Sequence, residues 1–260
     1  MNDPQVASPG PTDFTAWADL LTRGATELGV TVGHDALRRL WEYAGVLQEW
    51  SRRMNLVGSS APGLTARVHI LDSMAVLRFL PASTRLCADV GTGAGLPGMV
   101  AALVAPGTHW ALIDASHKRC SFLSHVQSAL QVANVTVHCA RAEEIGRDPA
   151  MREAHDVAVS RAVGPLEVVA EYCLPLVRVG GQCLALKGPA VEKEVGAASA
   201  AIQRLGGRMR EVVQYRLPLG DEERRAVVID KIGRTPDKFP RRAGVAAKRA
   251  REVDRRRRGV

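Results

Sequence analysis

The stretch Asp89-Val90-Gly91-Thr92-Gly93-Ala94-Gly95-Leu96-Pro97-Gly98 decides the fold of this chain. It follows a short apolar run and precedes an apolar helical pattern. Glycines let the backbone adopt positive φ and let a ligand approach the main chain closely. The N-terminus of the following helix offers free N–H groups. Strand, glycine-rich turn and helix in this order predict a ligand-binding βα unit.

Short β-rich runs alternate with helical stretches on both sides of this turn. The predicted strands are 86–90, 110–114, 135–139, 157–160, 183–186, 211–217 and 226–232. The predicted helices between them are 97–104, 118–131, 165–177 and 191–205. This alternation favours a doubly wound, mainly parallel α/β sheet. The last two strands are separated only by a turn, so we expect an antiparallel hairpin. This Rossmann-like, seven-stranded outline is that of S-adenosylmethionine-dependent methyltransferases.

The chain upstream of the sheet is helical in pattern. Apolar residues recur at helical spacing over 14–28, 34–53 and 64–79. We therefore predict a disordered lead-in at 1–13, a helical N-terminal extension at 14–80 and the sheet domain at 81–233. A basic tail, 234–260, follows.

Composition sets limits on the class of protein. Of the 260 residues 46% are hydrophobic, and no apolar run approaches the ~20 residues that cross a bilayer. The five cysteines lie far apart without a C-x-x-C pair, which suits buried thiols in a reducing cytosol rather than disulfides or a zinc site. We expect a cytoplasmic protein without a metal or a membrane anchor, and a monomer by default.

The net charge of +8 is concentrated at one end of the chain. Residues 234–260 hold 11 Lys+Arg and 3 Asp+Glu, which leaves 35 − 11 = 24 basic and 27 − 3 = 24 acidic residues elsewhere. A basic arm on a neutral body favours a polyanion such as RNA. The alternative is a solvated tail that only aids solubility.

The glycine turn is compatible with two classes of ligand. Residues 93–98 also satisfy G-x-G-x-x-G, and Asp114 lies where a dinucleotide enzyme keeps its ribose-binding acid. Asp89, however, would repel a pyrophosphate and suits the ammonium of a methionine moiety. Glu143 follows the third strand, where an adenine edge would be held. The residues favour the methyl donor, and a nicotinamide-dependent oxidoreductase or a non-catalytic RNA-binding protein remains as an alternative.

A series of short motifs, taken in order, resembles one family. They are Met54-Asn55-Leu56, His69-Ile70-Leu71-Asp72-Ser73, Asp89 to Gly98, Asp114 with Lys118-Arg119, Arg141-Ala142-Glu143-Glu144, Ser160-Arg161-Ala162, Leu186-Lys187-Gly188, Glu223-Arg224 and the stretch 238–244. Over about residues 34–249 the chain resembles the glucose-inhibited division protein B family, the small-subunit (16S) ribosomal RNA guanine-N7 methyltransferases. It departs from the family pattern at Ala94, Met99 and residues 162–164.

The resemblance implies an enzyme that transfers a methyl group from S-adenosylmethionine to N7 of a guanine in 16S ribosomal RNA or the small ribosomal subunit. The family's cofactor-contacting positions match Gly91, Leu96, Ala142, Glu143 and Arg161. Fold analogy places Asp114 at the cofactor ribose. The glycine turn itself adds Asp89 and Gly93 to the predicted cofactor site.

Guanine N7 carries a free lone pair, so its methylation needs alignment and no general base. Candidates for positioning the guanine or the RNA are Asn55, His69, Asp72, Lys187 and Arg224. The alternative for Asp72 and the adjacent Ser73 is a structural role as hydrogen-bond partners, and the alternative for each basic residue near a strand end is a surface ion pair. We also expect that removing 234–260 weakens RNA binding and leaves donor affinity unchanged.

Overall fold

The computed structural model describes residues 13–54, 56, 57, 65–246 and 248. Seven strands form one sheet: β1 Leu86–Val90, β2 His109–Asp114, β3 Val135–Cys139, β4 His155–Arg161, β5 Val177–Lys187, β6 Gly207–Arg216 and β7 Glu223–Lys231. Their order is β3-β2-β1-β4-β5-β7-β6. Strands β1 to β5 run parallel, and β7 is antiparallel to both of its neighbours. The predicted fold class is confirmed, including the terminal hairpin.

The helices fall before and between the strands. They are α1 Phe14–Glu27, α2 His34–Ser51, α3 Thr65–Leu71 continuing through Asp72–Met74 and Ala75–Phe79, α4 Gly98–Val104, α5 His117–Ala129, α6 Ala142–Ile145, α7 Leu166–Cys173 and α8 Glu192–Arg204. Asp13 caps α1 by accepting a hydrogen bond from the Ala16 N–H at 3.0 Å.

Two helices differ from their predicted form. Helix α3 is π-helical over Thr65–Leu71 and ends in a 3₁₀ turn over Ala75–Phe79, so it is not one continuous α-helix. Helix α7 ends at Cys173 instead of residue 177. Pro175 has no N–H to continue the helical ladder, and a 3₁₀ turn at Leu174–Leu176 leads directly into β5.

The sheet separates two apolar cores because side chains alternate between its faces. In β2, Trp110 and Leu112 enter one core, while Ala111 and Ile113 enter the other. The first core holds helices α1 to α5, and the second holds α7 and α8. The molecule is therefore three-layered, with the N-terminal extension on one face of the sheet.

Close helix packing fixes this extension to the rest of the domain. A Cβ on Gly24 of α1 would overlap the Leu71 side chain of α3. The hydroxyl of Tyr43 in α2 donates to the Ala94 carbonyl in the glycine turn at 2.6 Å. The N-terminal extension is thus bonded directly to the glycine turn.

The first half of the predicted tail packs against the sheet domain. We call residues 235–246 the strap. Arg147 and Arg152 donate to the carbonyls of Pro240 and Phe239 at 2.9 and 2.8 Å, and Arg241 forms an ion pair with Glu171 at 2.6 Å. The residues that directly follow the predicted boundary at residue 234 are therefore packed on the sheet domain. Among the described residues, no helix combines the length and hydropathy needed to cross a membrane.

Candidate active site

Two cavities open at the carboxyl edge of the parallel strands, where doubly wound sheets bind ligands. The glycine-turn cavity, of about 310 Å³, is lined by Gly91, Asp114, Arg119, Ala142, Glu143 and Tyr172 among others. The Asp72 cavity, of about 420 Å³, is lined by His69, Asp72, Arg161, Lys187, Tyr215 and Arg224 among others. Ala162 lines both cavities, so the two spaces share a wall.

The glycine turn needs glycine for two different reasons. Gly91 has φ +73°, and a Cβ there would lie 2.5 Å from Val163 Cγ2. Gly93 has φ +60°, but a Cβ there would meet nothing within 4 Å. Gly91 is therefore required by close packing and backbone conformation together, and Gly93 by conformation alone. The space beside Gly93 is open.

Asp89 is buried at the end of β1 and has one unsatisfied oxygen. Its Oδ2 accepts hydrogen bonds from Thr92 Oγ1 at 2.6 Å and from the Gly98 N–H at 2.8 Å. Its Oδ1 is buried without a hydrogen-bond partner among the described residues. Burial raises the pKa of Asp89 to about 6, although the bonds from Thr92 and Gly98 and the charge of Arg161 lower it. The free oxygen is suited to accept a hydrogen bond from a cationic ligand.

Asp114 connects the end of β2 to the glycine turn. Its Oδ2 accepts from the Gly93 N–H at 2.9 Å, and its Oδ1 accepts from the Ser116 N–H at 2.9 Å. Arg119 approaches Oδ2 at 3.4 Å. The carboxylate therefore has a fixed position in the wall of the glycine-turn cavity.

Glu143 lies in the first turn of α6 and is also buried. Its Oε1 accepts a hydrogen bond from the Gly244 N–H of the strap at 2.8 Å. Tyr172 of α7 interacts with the same carboxylate, and burial together with this negative charge raises the tyrosine pKa to about 12. Glu143 is thus held from two sides by segments distant in sequence.

Asp72 is the centre of an ion-pair cluster in its cavity. Its Oδ2 pairs with Arg161 at 3.1 Å, and its Oδ1 pairs with Arg224 at 3.3 Å. The Tyr215 hydroxyl lies 3.5 Å from Oδ1. These contacts tie α3 to β4, β6 and β7 at the edge where the strands end.

A third ion pair, between Lys187 and Glu194, lies in the wall of the Asp72 cavity. Lys187 Nζ donates to the Gly164 carbonyl at 2.6 Å and pairs with Glu194 at 3.1 Å. Counting Arg161, Arg224 and Lys187 against Asp72 and Glu194, these lining residues carry 3 − 2 = +1. The cavity is therefore weakly cationic and suits a polar, electron-rich ligand.

Comparison with known proteins places this geometry in a family. The profile of GidB, "rRNA small subunit methyltransferase G", matches residues 36–225. A relative from Symbiobacterium thermophilum, named ribosomal RNA small subunit methyltransferase G, is 42% identical over 91% of this chain and 98% of its own. One of the same name from Pelotomaculum thermopropionicum is 40% identical over 89% and 98%. The chain belongs to this family.

The family membership confirms the resemblance drawn from the motifs. Among solved structures, a branched-chain polyamine synthase mutein from Thermus thermophilus, in complex with N4-aminopropylspermidine and 5'-methylthioadenosine, superposes with a TM-score of 0.52. It is 13% identical and covers 74% of this chain and 64% of its own. At this identity the likeness concerns the fold alone.

The predicted cofactor residues of this family member divide into three groups. Gly91, Asp114, Ala142 and Glu143 line the glycine-turn cavity, together with Arg141. Arg161 lies in the neighbouring cavity. The other three, Asp89, Gly93 and Leu96, line neither cavity, and Leu96 is packed in the first apolar core.

The predicted RNA-positioning residues meet in one place. His69 and Asp72 of α3, Lys187 of β5 and Arg224 of β7 all line the Asp72 cavity. Asn55 lies outside the described residues. Ser73 is buried, and its hydroxyl donates to the His69 carbonyl at 2.5 Å. Among the described residues, no cluster of three or more His, Cys, Asp or Glu side chains is arranged to hold a metal ion.

Three polar lining residues were not predicted from the sequence. Tyr172 lines the glycine-turn cavity, and Tyr215 and Glu194 line the Asp72 cavity. None of them belongs to a motif, and only the packing of α7, α8 and β6 brings them to the site.

Proposed function

We propose that this member of the methyltransferase family transfers the methyl group of S-adenosylmethionine to N7 of a guanine in 16S ribosomal RNA. The observation that carries the proposal is the pair of cavities separated by Ala162 at the carboxyl edge of the sheet. One has acidic groups for a nucleoside donor, and the other is weakly cationic and large enough for a base. We infer a monomer that acts in the cytoplasm, on free 16S RNA or the small ribosomal subunit.

The glycine-turn cavity fits the donor on grounds of its own chemistry. Asp89 directly precedes the lining residues Val90 and Gly91, and its buried, unpartnered Oδ1 would accept a hydrogen bond from the donor's ammonium. Asp114 and Glu143 offer carboxylates for the ribose hydroxyls and the adenine edge. The open space beside Gly93 allows the ligand to approach the main chain. S-adenosylmethionine supplies an electrophilic methyl carbon on its sulfonium.

In this proposal the Asp72 cavity orients the target base and limits the positive charge around it. N7 is nucleophilic in neutral guanine, so no side chain has to remove a proton. Methylation at N7 makes the base cationic, which unpaired arginines beside it would oppose. Asp72 neutralises part of the charge of Arg161 and Arg224, and this reduces the repulsion. Holding N7 in line with the methyl group is the main contribution, worth up to roughly 7–11 kcal/mol in favourable cases.

The geometry of RNA limits where the target can lie. A-form helices hide guanine N7 in a deep, narrow groove that side chains cannot read. The target guanine must therefore be unpaired, terminal or flipped out when it enters the Asp72 cavity.

A methyl-transfer assay with methyl-labelled S-adenosylmethionine tests the proposal on naked 16S RNA and on small subunits. We expect label in one of the two substrates, recovered after nuclease digestion as 7-methylguanosine by mass spectrometry. Calorimetry with S-adenosylmethionine and with NADH runs in parallel. Binding of NADH alone, or label in a different nucleoside, would contradict the proposal.

A further inference from the structure

The strap reaches the glycine-turn cavity through Glu143. Its Gly244 N–H donates to Glu143 Oε1 at 2.8 Å, and Glu143 lines that cavity. Gly244 has φ +78°, a conformation that glycine adopts at little cost. The positive φ of Gly244 thus belongs to the backbone conformation in which its N–H reaches Glu143.

An ion pair three residues earlier fixes the position of this N–H. Arg241 contacts Glu171 through Nε at 2.9 and 3.0 Å and through Nη2 at 2.6 Å, while its backbone N–H donates to the same carboxylate at 2.8 Å. The Glu171 side chain is 4% exposed. Such bidentate, charge-assisted contacts to a buried carboxylate are both strong and directional.

Further contacts hold the strap along its length. Arg152 donates to the carbonyls of Thr235 and Phe239 at 2.7 and 2.8 Å. At the other end, Ala246 is buried against Val168 and Tyr172. Tyr172 is the second residue that interacts with Glu143, so the strap supplies one partner of this carboxylate and packs against the other.

We propose that the strap is a positioning element of the donor site, in which Arg241 anchors the backbone and Gly244 orients Glu143 toward the nucleoside. This inference rests on the proposed function, because it takes the glycine-turn cavity as the donor site. It contradicts the expectation that removing residues 234–260 leaves donor affinity unchanged. A loss of the Glu143 contact lowers affinity for the adenosine part of the donor without touching the ligand.

The test measures calorimetric affinity for S-adenosylhomocysteine in the full-length chain. Arg241→Ala should raise the dissociation constant about fivefold, the effect of one well-oriented hydrogen bond. The preference for S-adenosylhomocysteine over S-inosylhomocysteine should fall as well, since a purely structural role would leave that ratio unchanged. In a Glu143→Ala background, Arg241→Ala should have no further effect on affinity.

Two variants make the outcome unambiguous. Arg178→Ala removes a more exposed arginine–carboxylate ion pair, with Asp156, at the start of β5 and away from both cavities, and should leave affinity unchanged. In Gly244→Ala the added Cβ would have no atom within 4 Å, so this substitution disturbs only the backbone at positive φ. It tests the inference if Arg241→Ala fails to fold. Unchanged affinity in a folded Arg241→Ala or Gly244→Ala protein, or additive effects with Glu143→Ala, would overturn the inference. Failure of the wild-type chain to bind S-adenosylhomocysteine would instead count against the proposed function.

Discussion

Asp89 has one carboxylate oxygen bonded within the fold and one that the proposed function assigns to the donor. Its Oδ2 ties the glycine turn to β1 through Thr92 and Gly98, while its Oδ1 has no partner among the described residues. A buried polar atom without a partner costs about 1–3 kcal/mol. A ligand that donates to this oxygen recovers that cost. Burial keeps the pKa of the carboxyl near 6, so its charge changes within an accessible pH range.

Donor binding should therefore depend on pH through Asp89. A cationic ligand favours the ionised carboxylate, so affinity for S-adenosylmethionine should be constant above pH 6 and fall below it. Below pH 6 the affinity should fall by at most about tenfold for each pH unit. The donor's ammonium stays protonated over pH 5–7 and adds no change of its own. Calorimetry across this range provides the measurement.

5'-Methylthioadenosine is the matched control for this pH dependence, because it lacks the ammonium. Its affinity should stay level between pH 5 and 7. An equal decline for both ligands would assign the titration to another group and remove Asp89 from the ammonium site.

Among single residues, the sequence predicted those whose position follows from the strand that they end or follow. Gly91, Asp114 and Glu143 follow strand ends, and strand ends meet at one edge of a parallel sheet, so their meeting in one cavity was predictable. Leu96 was assigned to the cofactor site by resemblance but is packed in the core. The contacts of Gly244 and Tyr172 with Glu143 could not be predicted, because no spacing rule connects position 244 or position 172 to position 143.

Among the elements, α3 depends most on its partners. It begins as a π-helix and ends in a 3₁₀ turn, which are weaker backbone arrangements than an α-helix. Its Asp72 is bound to Arg161 of β4 and Arg224 of β7. The ion pairs hold the irregular helix against the sheet and, by the same contacts, shape the Asp72 cavity.

Asp72→Asn should destabilise the fold by about 2 to 3 kcal/mol, because two partly buried guanidinium groups would lose their counter-charge. Urea unfolding monitored by circular dichroism measures this loss. Glu222→Gln, which breaks the ion pair with Arg67 at a more exposed carboxylate, is the comparison and should cost no more than about 1 kcal/mol. Equal losses of unfolding free energy in the two variants would show that Asp72 stabilises the fold no more than an exposed ion pair does.

Element type was predictable where the apolar period was regular. The strands were found because buried residues alternate or form short apolar runs, and the β6–β7 hairpin because its connection is short. The place of β7 between β5 and β6 was not predicted, since pairing partners depend on contacts across the sheet. The end of α7 was missed by four residues, where Pro175 and a 3₁₀ turn intervene.

For the whole molecule, the structure divides the basic excess into two parts. Arg234 and Arg241 are engaged with Glu153 and Glu171, so they serve the fold. Residues 249–260 contain six arginines and two acids and lie outside the described residues. Charge that is available to RNA is therefore expected mainly beyond the strap.

Deleting residues 249–260 should weaken RNA binding while donor affinity stays unchanged, because the strap is retained. The slope of log affinity against log salt should become shallower by about 0.7 for each single-stranded RNA phosphate contact that is lost. Filter binding at several salt concentrations gives the slope, and calorimetry gives the donor affinity. Identical slopes for the two proteins would exclude these arginines from the RNA interface.

The late position of Gly244 also bears on how the enzyme is made. Glu143 and the residue that holds it are 101 positions apart, and chains are synthesised and begin to fold from the N-terminus. The seven strands can thus emerge from the ribosome before the clamp on Glu143 exists. By this inference, a nascent chain binds the methyl donor poorly until residues 241–244 have been translated and packed against the sheet domain.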